Sequence, residues 1–295
     1  MSGFLRHVEA CNLPIDEPFW PWSIDGHVVG WVRPRLAPHL QALDGIFVRH
    51  GNAFVLHPDL RGFEARSAAL AAAAEQWLAD GLVVHLLGEP YPVTPGGRES
   101  ALCTVDRAAA ALLGIRSFGQ HLNGFVRRDD GIHMWIGRRA RDRLLFPGAL
   151  DNMVAGGLPH DLDLAQNLVK ECREEADVPE DLARRAVPVG AISYNRVAER
   201  GFRPDVLYCY DLELPAGFEP RNTDGEVEAF LLLPLAEVAR IVRDTDEFKL
   251  NCNLVIIDFL VRHGWLGPEW PEYLQLVQGL RQPLAGAANL VKGIP

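Results

Sequence analysis

The sequence contains few cysteines and no cysteine motif. Its five cysteines, an odd number in 295 residues, include no two that are separated by two residues. This pattern is typical of buried free thiols in a reducing cytosol, and it gives no sign of a zinc site. We therefore expect a cytoplasmic protein.

An excess of basic residues is also missing. Lysine and arginine total 29, against 39 for aspartate and glutamate, which gives a net charge of −10. Binding nucleic acid through its phosphates needs a basic face, so we expect no nucleic-acid partner. A small phosphate ester could still bind if a metal ion supplied positive charge locally.

Long apolar runs are absent as well. No run approaches the roughly 18 to 20 residues that a membrane helix needs, so we expect no membrane partner. The first residues have neither a long apolar core nor a small-residue cleavage site, and we expect no secretory signal. These patterns predict no particular oligomeric state.

The sequence pattern changes near residue 118, and we expect two domains. The first, residues 1–118, has the pattern of a smaller α+β domain. Its apolar spacing and turn residues predict helices over residues 34–43, 63–78 and 106–113, strands over residues 45–48 and 54–56, and a proline- and glycine-rich loop over residues 90–97.

The second predicted domain, residues 119–295, has strands on both sides of one central helix. The strands are expected over residues 121–127, 132–139, 187–194, 205–214 and 226–233, and further helices over residues 238–242, 254–261 and 271–280. A tight hairpin is indicated by Asp129-Asp130-Gly131. This order predicts an α/β fold, specifically an α/β/α sandwich with a mixed sheet.

The central helix is the most informative segment. Glu171, Glu174 and Glu175 are spaced by three and four residues, which puts their carboxylates on one helical face. Crowded carboxylates repel one another unless a cation lies between them, and hard divalent cations prefer oxygen ligands. Gly156 and Gly157 precede the helix, where a bare backbone can approach a ligand closely. The alternative interpretation is an ordinary solvated acidic face.

A second acidic segment follows farther along the chain. Glu226 and Glu228 alternate at the start of a predicted strand, so they share one of its faces. A carboxylate from this segment could complete a ligand set. Acidic residues are common at turns, so this segment supports a metal site only together with the central helix.

The central segment resembles the Nudix box, in which a glycine and a glutamate precede an Arg-Glu-apolar-any-Glu-Glu motif. The positions that match the box are Gly156, Glu171, Cys172, Glu174, Glu175 and Val178. The positions that depart from it are Leu162 for the first glutamate, Lys170 for the arginine and Asp177 for the glycine that ends the helix. The three-carboxylate core of the box is therefore kept.

Further segments resemble one Nudix subgroup, which is found beside or fused to thiamine pyrophosphokinase. They are residues 121–124, 135–139, 146–157, 224–228 and 258–264, so the resemblance covers nearly the whole chain. It implies a Nudix fold with an extra N-terminal domain, dependence on Mg²⁺ or Mn²⁺, and hydrolysis of a diphosphate bond in a small molecule. The implied substrate is thiamine diphosphate or its oxidised analogues, with release of phosphate.

The resemblance also implies roles for single residues. Glu171 and Glu175 are the principal metal ligands, with Glu174 nearby or bound through water, and the Gly156 carbonyl is a further ligand. Lys170 takes the orienting role of the box arginine, as a point charge rather than a bidentate fork. A metal-bound water would attack phosphorus in line with the bond that breaks.

The catalytic candidates are Glu175, Glu171 and Glu226. The general base is Glu175 or a carboxylate of the second acidic segment, either Glu226 or Glu228. Since Nudix proteins differ in the base they use, the hypothesis keeps these possibilities open.

Candidates for substrate binding lie outside the central helix. Arg138 or Arg139 could clamp the terminal phosphate, although strand alternation leaves only one of them facing a cleft. Asn152 is a further candidate. Trp20 and Trp22 could stack on a cationic ring such as thiazolium, but packing of the N-terminal domain is the favoured interpretation.

Two other functions fit parts of the pattern. The imperfect box is compatible with a non-hydrolytic Nudix-like sensor that binds a nucleotide or diphosphate. An isomerase of the isopentenyl diphosphate type would need a cysteine nucleophile, and Cys172 lies on the apolar stripe of the helix. We expect His121 and Asn123 to be structural and His160 to be solvated.

Overall fold

The computed structural model describes residues 3–12 and 15–284. The helices in these residues are α1 Leu5–Cys11, α2 Ala37–Gln41, α3 Phe63–Ala79, α4 Arg107–Leu113, α5 Leu164–Ala176, α6 Glu180–Ala183, α7 Leu235–Asp244, α8 Leu250–Arg262 and α9 Tyr273–Gly279. The strands are β1 Trp20–Ile24, β2 His27–Val32, β3 Phe47–His50, β4 Ala53–Leu56, β5 Pro90–Val93, β6 Cys103–Asp106, β7 Ser117–Arg128, β8 Gly131–Arg139, β9 Leu150–Asn152, β10 Val154–Gly157, β11 Val187–Ala198, β12 Gly201–Glu213 and β13 Val227–Pro234. Short 3₁₀ helices are Pro34–Leu36 and Arg98–Ser100.

The first part of the chain folds around a four-stranded sheet with the order β2-β1-β4-β3. Its core contains Trp22, Phe54, Leu70 and Trp77, all of them almost fully buried. The predicted helix from residue 63 is confirmed as α3. The sequence does not predict β1, β2 and β6. The aromatic, proline and glycine residues of β1 and β2 give no regular alternation, and β6 has only four residues.

The loop predicted over residues 90–97 is wrong in its first half, where Pro90–Val93 forms β5. This strand pairs antiparallel with β6 in a two-stranded ribbon. The two prolines of β5 flank Tyr91, so their nitrogen atoms face the outer edge of the ribbon. A strand tolerates proline there, because no N–H group is needed for pairing. The ribbon continues with a 2.9 Å hydrogen bond from the Arg107 N–H to the Glu89 carbonyl.

A mixed sheet of seven strands forms the second part of the fold. Its main order is β11-β12-β7-β8-β13, with β10 beside β7 and β9 beside β8. Strands β12 and β7 run parallel, whereas the other pairs are antiparallel. The hairpin predicted at residues 129–131 joins β7 to β8.

Alternate residues of these strands face two helical layers. On β7, Leu122 and Val126 pack in the core that contains α5, whereas Phe125 packs in the core that contains α7, α8 and α9. On β12, Tyr210 belongs to the first core and Cys209 to the second. This alternation follows the two-residue period of a strand. It confirms the predicted α/β/α sandwich with a mixed sheet, preceded by a smaller α+β part.

Helix α1 packs in the second core although it precedes the first sheet in the chain. Val8 and Cys11 are buried among residues of α8 and α9. The His7 ring lies 2.6 Å from the Val242 carbonyl oxygen at Nε2. The division of the chain into residues 1–118 and 119–295 stays a prediction.

Hydrogen bonds tie the loop between β10 and α5 to the N-terminal part. Arg98 donates to the carbonyl oxygens of Pro159 and Leu162 at 2.6 and 2.7 Å. The backbone N–H of His160 donates to the Pro90 carbonyl at 2.7 Å. The segment that leads into the glutamate helix is thus held against β5 and the loop that follows it.

The five cysteines are buried free thiols, as the sequence predicts. Burial raises the pKa of Cys103 and of Cys172 to about 12, so both stay protonated at neutral pH. In the part of the chain that the structure describes, no helix has the length and apolar character to cross a membrane.

Gly30→Ala should destabilise the N-terminal core. A Cβ at this position would lie 2.1 Å from Trp22 Nε1 and 2.4 Å from the Leu113 carbonyl oxygen, two atoms that share a 2.8 Å hydrogen bond. We expect the free energy of unfolding to fall by about 1–3 kcal/mol in chemical denaturation. Gly217→Ala is the matched control, because no atom lies within 4 Å of its Cβ position. An equal loss in both variants would contradict the packing described here.

Candidate metal centre

Helix α5 carries the three glutamates between two well-defined ends. Asp163 Oδ1 accepts a 2.7 Å hydrogen bond from the Gln166 N–H, and Gln166 Oε1 accepts one of 3.0 Å from the Asp163 N–H. This capping box satisfies two N–H groups that would lack partners near the helix start. At the other end Asp177 has φ +50°, which aspartate tolerates better than most residues. Asp177 therefore ends the helix where the Nudix box has glycine.

The three glutamates differ in burial. Glu175 is 7% exposed, and its carboxylate accepts a 2.8 Å hydrogen bond from the Ala155 N–H of β10. The Glu171 side chain is 14% exposed and lies against Gly156. The Glu174 side chain is 44% exposed. Two carboxylates therefore converge on β10, while the third faces solvent.

Ionisation of the two converging carboxylates is costly. Burial, reinforced by the charge of Glu171, raises the pKa of Glu175 to about 8. Burial also raises the pKa of Glu171, although Lys170 opposes that shift. A cation between two such carboxylates would favour their charged forms. The donor set consequently fits a hard divalent cation such as Mg²⁺ or Mn²⁺.

The two glycines at the end of β10 make close approaches possible. A Cβ on Gly156 would lie 2.3 Å from Glu171 Cδ, and a Cβ on Gly157 would lie 2.2 Å from Tyr91 Oη. Neither position has room for a side chain. Gly156 allows the Glu171 side chain to contact the backbone of β10. Gly157 allows Tyr91, from the N-terminal part of the chain, to contact the same strand.

Lys170 is placed between two glutamates. Its Nζ lies 3.2 Å from Glu171 Oε1 and 2.8 Å from Glu174 Oε2. Burial opposes the charge of Lys170, but the two carboxylates outweigh that effect and raise its pKa. Where the box has its first glutamate, Leu162 instead offers its carbonyl oxygen to Arg98.

The second acidic segment lies beside the end of α5. The Thr223 hydroxyl donates to the Glu174 carbonyl oxygen at 2.7 Å. Glu226, just before β13, forms a 2.8 Å ion pair with Arg143. Among the described residues, no hydrogen bond or ion pair joins Glu226 to the carboxylates of α5.

Both candidate arginines at the end of β8 have partners. Arg138 donates to the Gly148 carbonyl oxygen at 3.0 Å. Arg139 lies 3.0 Å from Asp151 Oδ2 and also donates to the Leu145 carbonyl oxygen. Arg139 is therefore held by a buried carboxylate, whereas Arg138 is held by a backbone carbonyl.

Asn152 is buried in a chain of side-chain hydrogen bonds. Its Oδ1 lies 2.8 Å from His121 Nδ1, and its Nδ2 donates to Asn123 Oδ1 at 3.1 Å. Asn123 in turn donates to Asp211 at 3.0 Å. The burial of His121 and Asn123 agrees with the structural role expected for them.

A buried polar cluster beside β9 is not predicted from the sequence. His121, Asp151 and Cys252 place possible ligand atoms within 4.8 Å of one another. Cys252 Sγ donates to Asp151 Oδ1 at 2.6 Å, and Lys249 Nζ lies 3.0 Å from Oδ2. Lys249 and Arg139 already compensate the Asp151 charge, so this cluster suits a divalent cation less well than the glutamate pair does.

The protonation of this cluster also disfavours a cysteine nucleophile. Burial and the charge of Lys249 lower the pKa of His121 to about 4, which leaves the imidazole neutral. Burial and Asp151 raise the pKa of Cys252 well above its usual value, so the thiol stays protonated. Lys249 and Cys252 are three residues apart, but their partners are distant in sequence, and one sequence offers no signal that joins them.

The aromatic and histidine candidates lie in other surroundings. Trp22 is fully buried in the N-terminal core, which agrees with the packing role expected for it. The Arg49 guanidinium lies over the Trp20 ring, with its Cζ 4.8 Å from the ring centroid. The His160 ring is 5.2 Å from the Phe63 ring, so His160 contributes to the junction rather than being simply solvated.

Comparison with known proteins identifies the family. Residues 3–117 match the family model "Domain of unknown function (DUF4743)". The chain is 42% identical over 285 residues to Nudix hydrolase 24, chloroplastic, of Arabidopsis thaliana. It is 41% identical over 292 residues to Nudix hydrolase 20, chloroplastic, of the same plant. Each alignment covers 95% of this chain and 78% of the relative, and the chain belongs to the Nudix hydrolase family.

Solved structures give weaker similarities. The NUDIX domain of Shewanella oneidensis NrtR complexed with ADP ribose has 16% identity and a TM-score of 0.40, and it covers 51% of this chain and 89% of that one. DR0079 from Deinococcus radiodurans has 22% identity and a TM-score of 0.40, and it covers 57% of this chain and 97% of that one. The family assignment depends on the plant relatives. As a family member the chain is a Nudix-type diphosphate hydrolase, and such hydrolases generally use divalent metals.

The expectation of a cytoplasmic protein is wrong by the same comparison. Both Arabidopsis relatives are chloroplastic by name. The cysteine pattern indicates only a reducing environment, and the cytosol is one of several compartments that provide it. The absence of a secretory pattern does not distinguish among these compartments.

Glu175→Gln should remove metal binding and leave the fold intact. The amide has nearly the volume of the carboxylate and can still accept the Ala155 N–H, but it carries no charge. We expect Mn²⁺ affinity measured by calorimetry to fall by more than about tenfold, since even outer-sphere changes cost about 10–100-fold. Glu180→Gln is the control, because the side chain of Glu180 is exposed and pairs with Arg184 at the surface. Wild-type affinity in Glu175→Gln would refute the site.

The stability of the metal-free protein should depend on pH through Glu175. Its folded pKa of about 8 exceeds its ordinary value of 4.5, so between these values the native state binds more protons than the unfolded state. Stability therefore falls as pH rises through this window and levels off above it. Denaturation in EDTA from about pH 5 to about pH 9 should show a flatter profile for Glu175→Gln than for the wild type. Identical profiles would contradict the assigned shift.

Proposed function

We propose that this chain hydrolyses the diphosphate bond of thiamine diphosphate or its oxidised analogues and releases phosphate. The convergence of the Glu171 and Glu175 carboxylates on β10 is the observation that supports a metal-diphosphate site. The thiamine-type substrate is supported by the five segments outside the glutamate helix that resemble the thiamine pyrophosphokinase-associated subgroup.

We assign the metal site to Glu171, Glu175 and the Gly156 carbonyl, with Glu174 nearby or bound through water. Mg²⁺ or Mn²⁺ held there would neutralise phosphate charge and lower the pKa of a bound water. Lys170 bridges Glu171 and Glu174, and so orients both carboxylates in place of the box arginine.

The proton of the attacking water would pass to Glu175 or to Glu226. Glu175 is the favoured base, because its carboxylate is one of the assigned metal ligands and so lies at the site of the reaction. Glu226 lies on the turn beside the end of α5, and it would have to leave Arg143 to act. Glu171 would complete the catalytic set as a ligand of the metal.

The substrate-binding candidates differ in how firmly they are held. Arg139 is fixed by Asp151, whereas Arg138 has a single carbonyl partner, so we favour Arg138 as a clamp for the terminal phosphate. Asn152 is engaged by His121 and Asn123, and it would act by holding β9 in position.

A non-hydrolytic sensor is the second candidate. Leu162 and Lys170 depart from the box, and loss of chemistry with retained binding would fit these changes. The two functions predict the same metal-diphosphate complex, so only turnover distinguishes them. Tight binding with no turnover on any diphosphate would favour the sensor.

Phosphate release with Mg²⁺ should be faster from thiamine diphosphate or its oxidised analogues than from other diphosphates. We expect a preference of at least about tenfold in kcat/KM, which corresponds to about 1.4 kcal/mol of transition-state binding. The comparison set is ADP and inorganic pyrophosphate, whose hydrolysis also releases phosphate, and EDTA should abolish release. Equal rates across the set would contradict the thiamine assignment, and no rate with any substrate would contradict hydrolysis.

A further inference from the structure

The N-terminal part of the chain reaches the metal centre at Gly157. A Cβ there would lie 2.2 Å from Tyr91 Oη and 2.9 Å from Arg107 Nη1. The neighbouring residue, Gly156, is approached by Glu171 in the same way. The glycine pair therefore brings a tyrosine and an arginine of the N-terminal part close to the glutamates of α5.

The local fold fixes the position of Arg107. Asp106 caps helix α4 by accepting a 2.8 Å hydrogen bond from the Ala108 N–H. Its carboxylate also accepts the Gly88 N–H at 2.8 Å. The Arg107 N–H donates to the Glu89 carbonyl at 2.9 Å. Arg107 is thus held at the end of the β5–β6 ribbon, where its side chain extends toward β10.

The guanidinium of Arg107 is held in place by one of its nitrogen atoms. Its Nη1 lies 3.0 Å from Glu89 Oε2, and its Cζ lies 5.6 Å from the Tyr91 ring centroid. The side chain is 43% exposed. Within residues 3–12 and 15–284, Nε and Nη2 donate no hydrogen bond, so the outer N–H groups remain available to a ligand.

Arg107 keeps its positive charge at this position. Burial opposes the charge of Arg107, but Tyr91, Glu89 and Glu171 outweigh it and raise the pKa of the guanidinium. Lys170, the cation on α5 itself, is already shared between two glutamates. Arg107 is therefore a permanent cation, near the carboxylates, with free donors.

We propose that Arg107, held by Glu89 and Tyr91, forms a phosphate subsite on the N-terminal side of the metal centre. This proposal rests on the proposed diphosphate hydrolysis and assigns one phosphate of the substrate to the guanidinium. The planar fork of arginine matches two phosphate oxygens, which a lysine cannot do. The N-terminal part of the chain then supplies one wall of the active site.

A purely structural role for Arg107 makes a different prediction. If the residue only joins the two parts of the chain, its loss should lower thermal stability and leave substrate affinity unchanged. If it binds phosphate, its loss should raise KM for the diphosphate, and lysine should restore part of the affinity.

The test compares Arg107→Gln, Arg107→Lys and the wild type in Mg²⁺ with thiamine diphosphate. We expect Arg107→Gln to raise KM at least about tenfold, the loss expected for a charge-assisted phosphate contact, and Arg107→Lys to lie between it and the wild type. Arg49→Gln is the control, because Arg49 is an exposed N-terminal cation that bonds Gln41 and Gly51. An unchanged KM in Arg107→Gln would overturn the subsite.

A second measurement separates this proposal from the proposed function. Calorimetric titration with inorganic pyrophosphate in Mn²⁺ needs no turnover, so it reports the subsite even if the wild type hydrolyses nothing. We expect at least about tenfold weaker binding by Arg107→Gln. Equal affinities, or no binding by the wild type, would overturn the subsite. If Arg107→Gln does not fold, Arg107→Lys decides: weaker binding supports the proposal, and wild-type affinity overturns it.

Discussion

Two consecutive glycines at the end of β10 are the constraint on which the rest of the site depends. Gly156 leaves room for Glu171 against the backbone, and Gly157 leaves room for Tyr91 and Arg107. Any side chain at either position would push one of these groups away. The sequence resemblance implies that the first glycine is a metal ligand. The structure adds that both positions require glycine, because a side chain at either one would collide with its neighbours. The seven-stranded sheet, the glutamate helix and the N-terminal ribbon meet at this strand end.

Electrostatics distinguish the two acidic clusters of the fold. The α5 pair has a raised pKa at both carboxyls, which means that ionising them in the metal-free state is costly. Around Asp151, Lys249 and Arg139 outweigh burial, and the pKa of this carboxyl is lowered instead. A divalent cation would relieve repulsion at the first cluster, whereas it would meet two cations at the second. The first cluster is therefore the better metal site, although the second has the closer set of ligand atoms.

Local patterns predicted the helix and its carboxylates well, because spacing within one helix is set by the backbone alone. They also predicted the two-faced sheet, whose strands alternate with the period that burial requires. They failed where distant segments meet. The strand Pro90–Val93 forms because its edge without proline nitrogens pairs with β6. No local sequence pattern indicates that Tyr91 and Arg107 contact Gly157. Cys252 likewise meets its partners only after the sheet has formed.

The proposed metal site consists of Glu171, Glu175 and the Gly156 carbonyl. Anomalous difference density from crystals soaked in Mn²⁺ tests it directly. We expect one dominant peak between the two carboxylates at a distance typical of metal–oxygen bonds, with no peak at His121, Asp151 and Cys252. A dominant peak at that buried cluster, or none at α5 in protein that binds Mn²⁺ in solution, would contradict it.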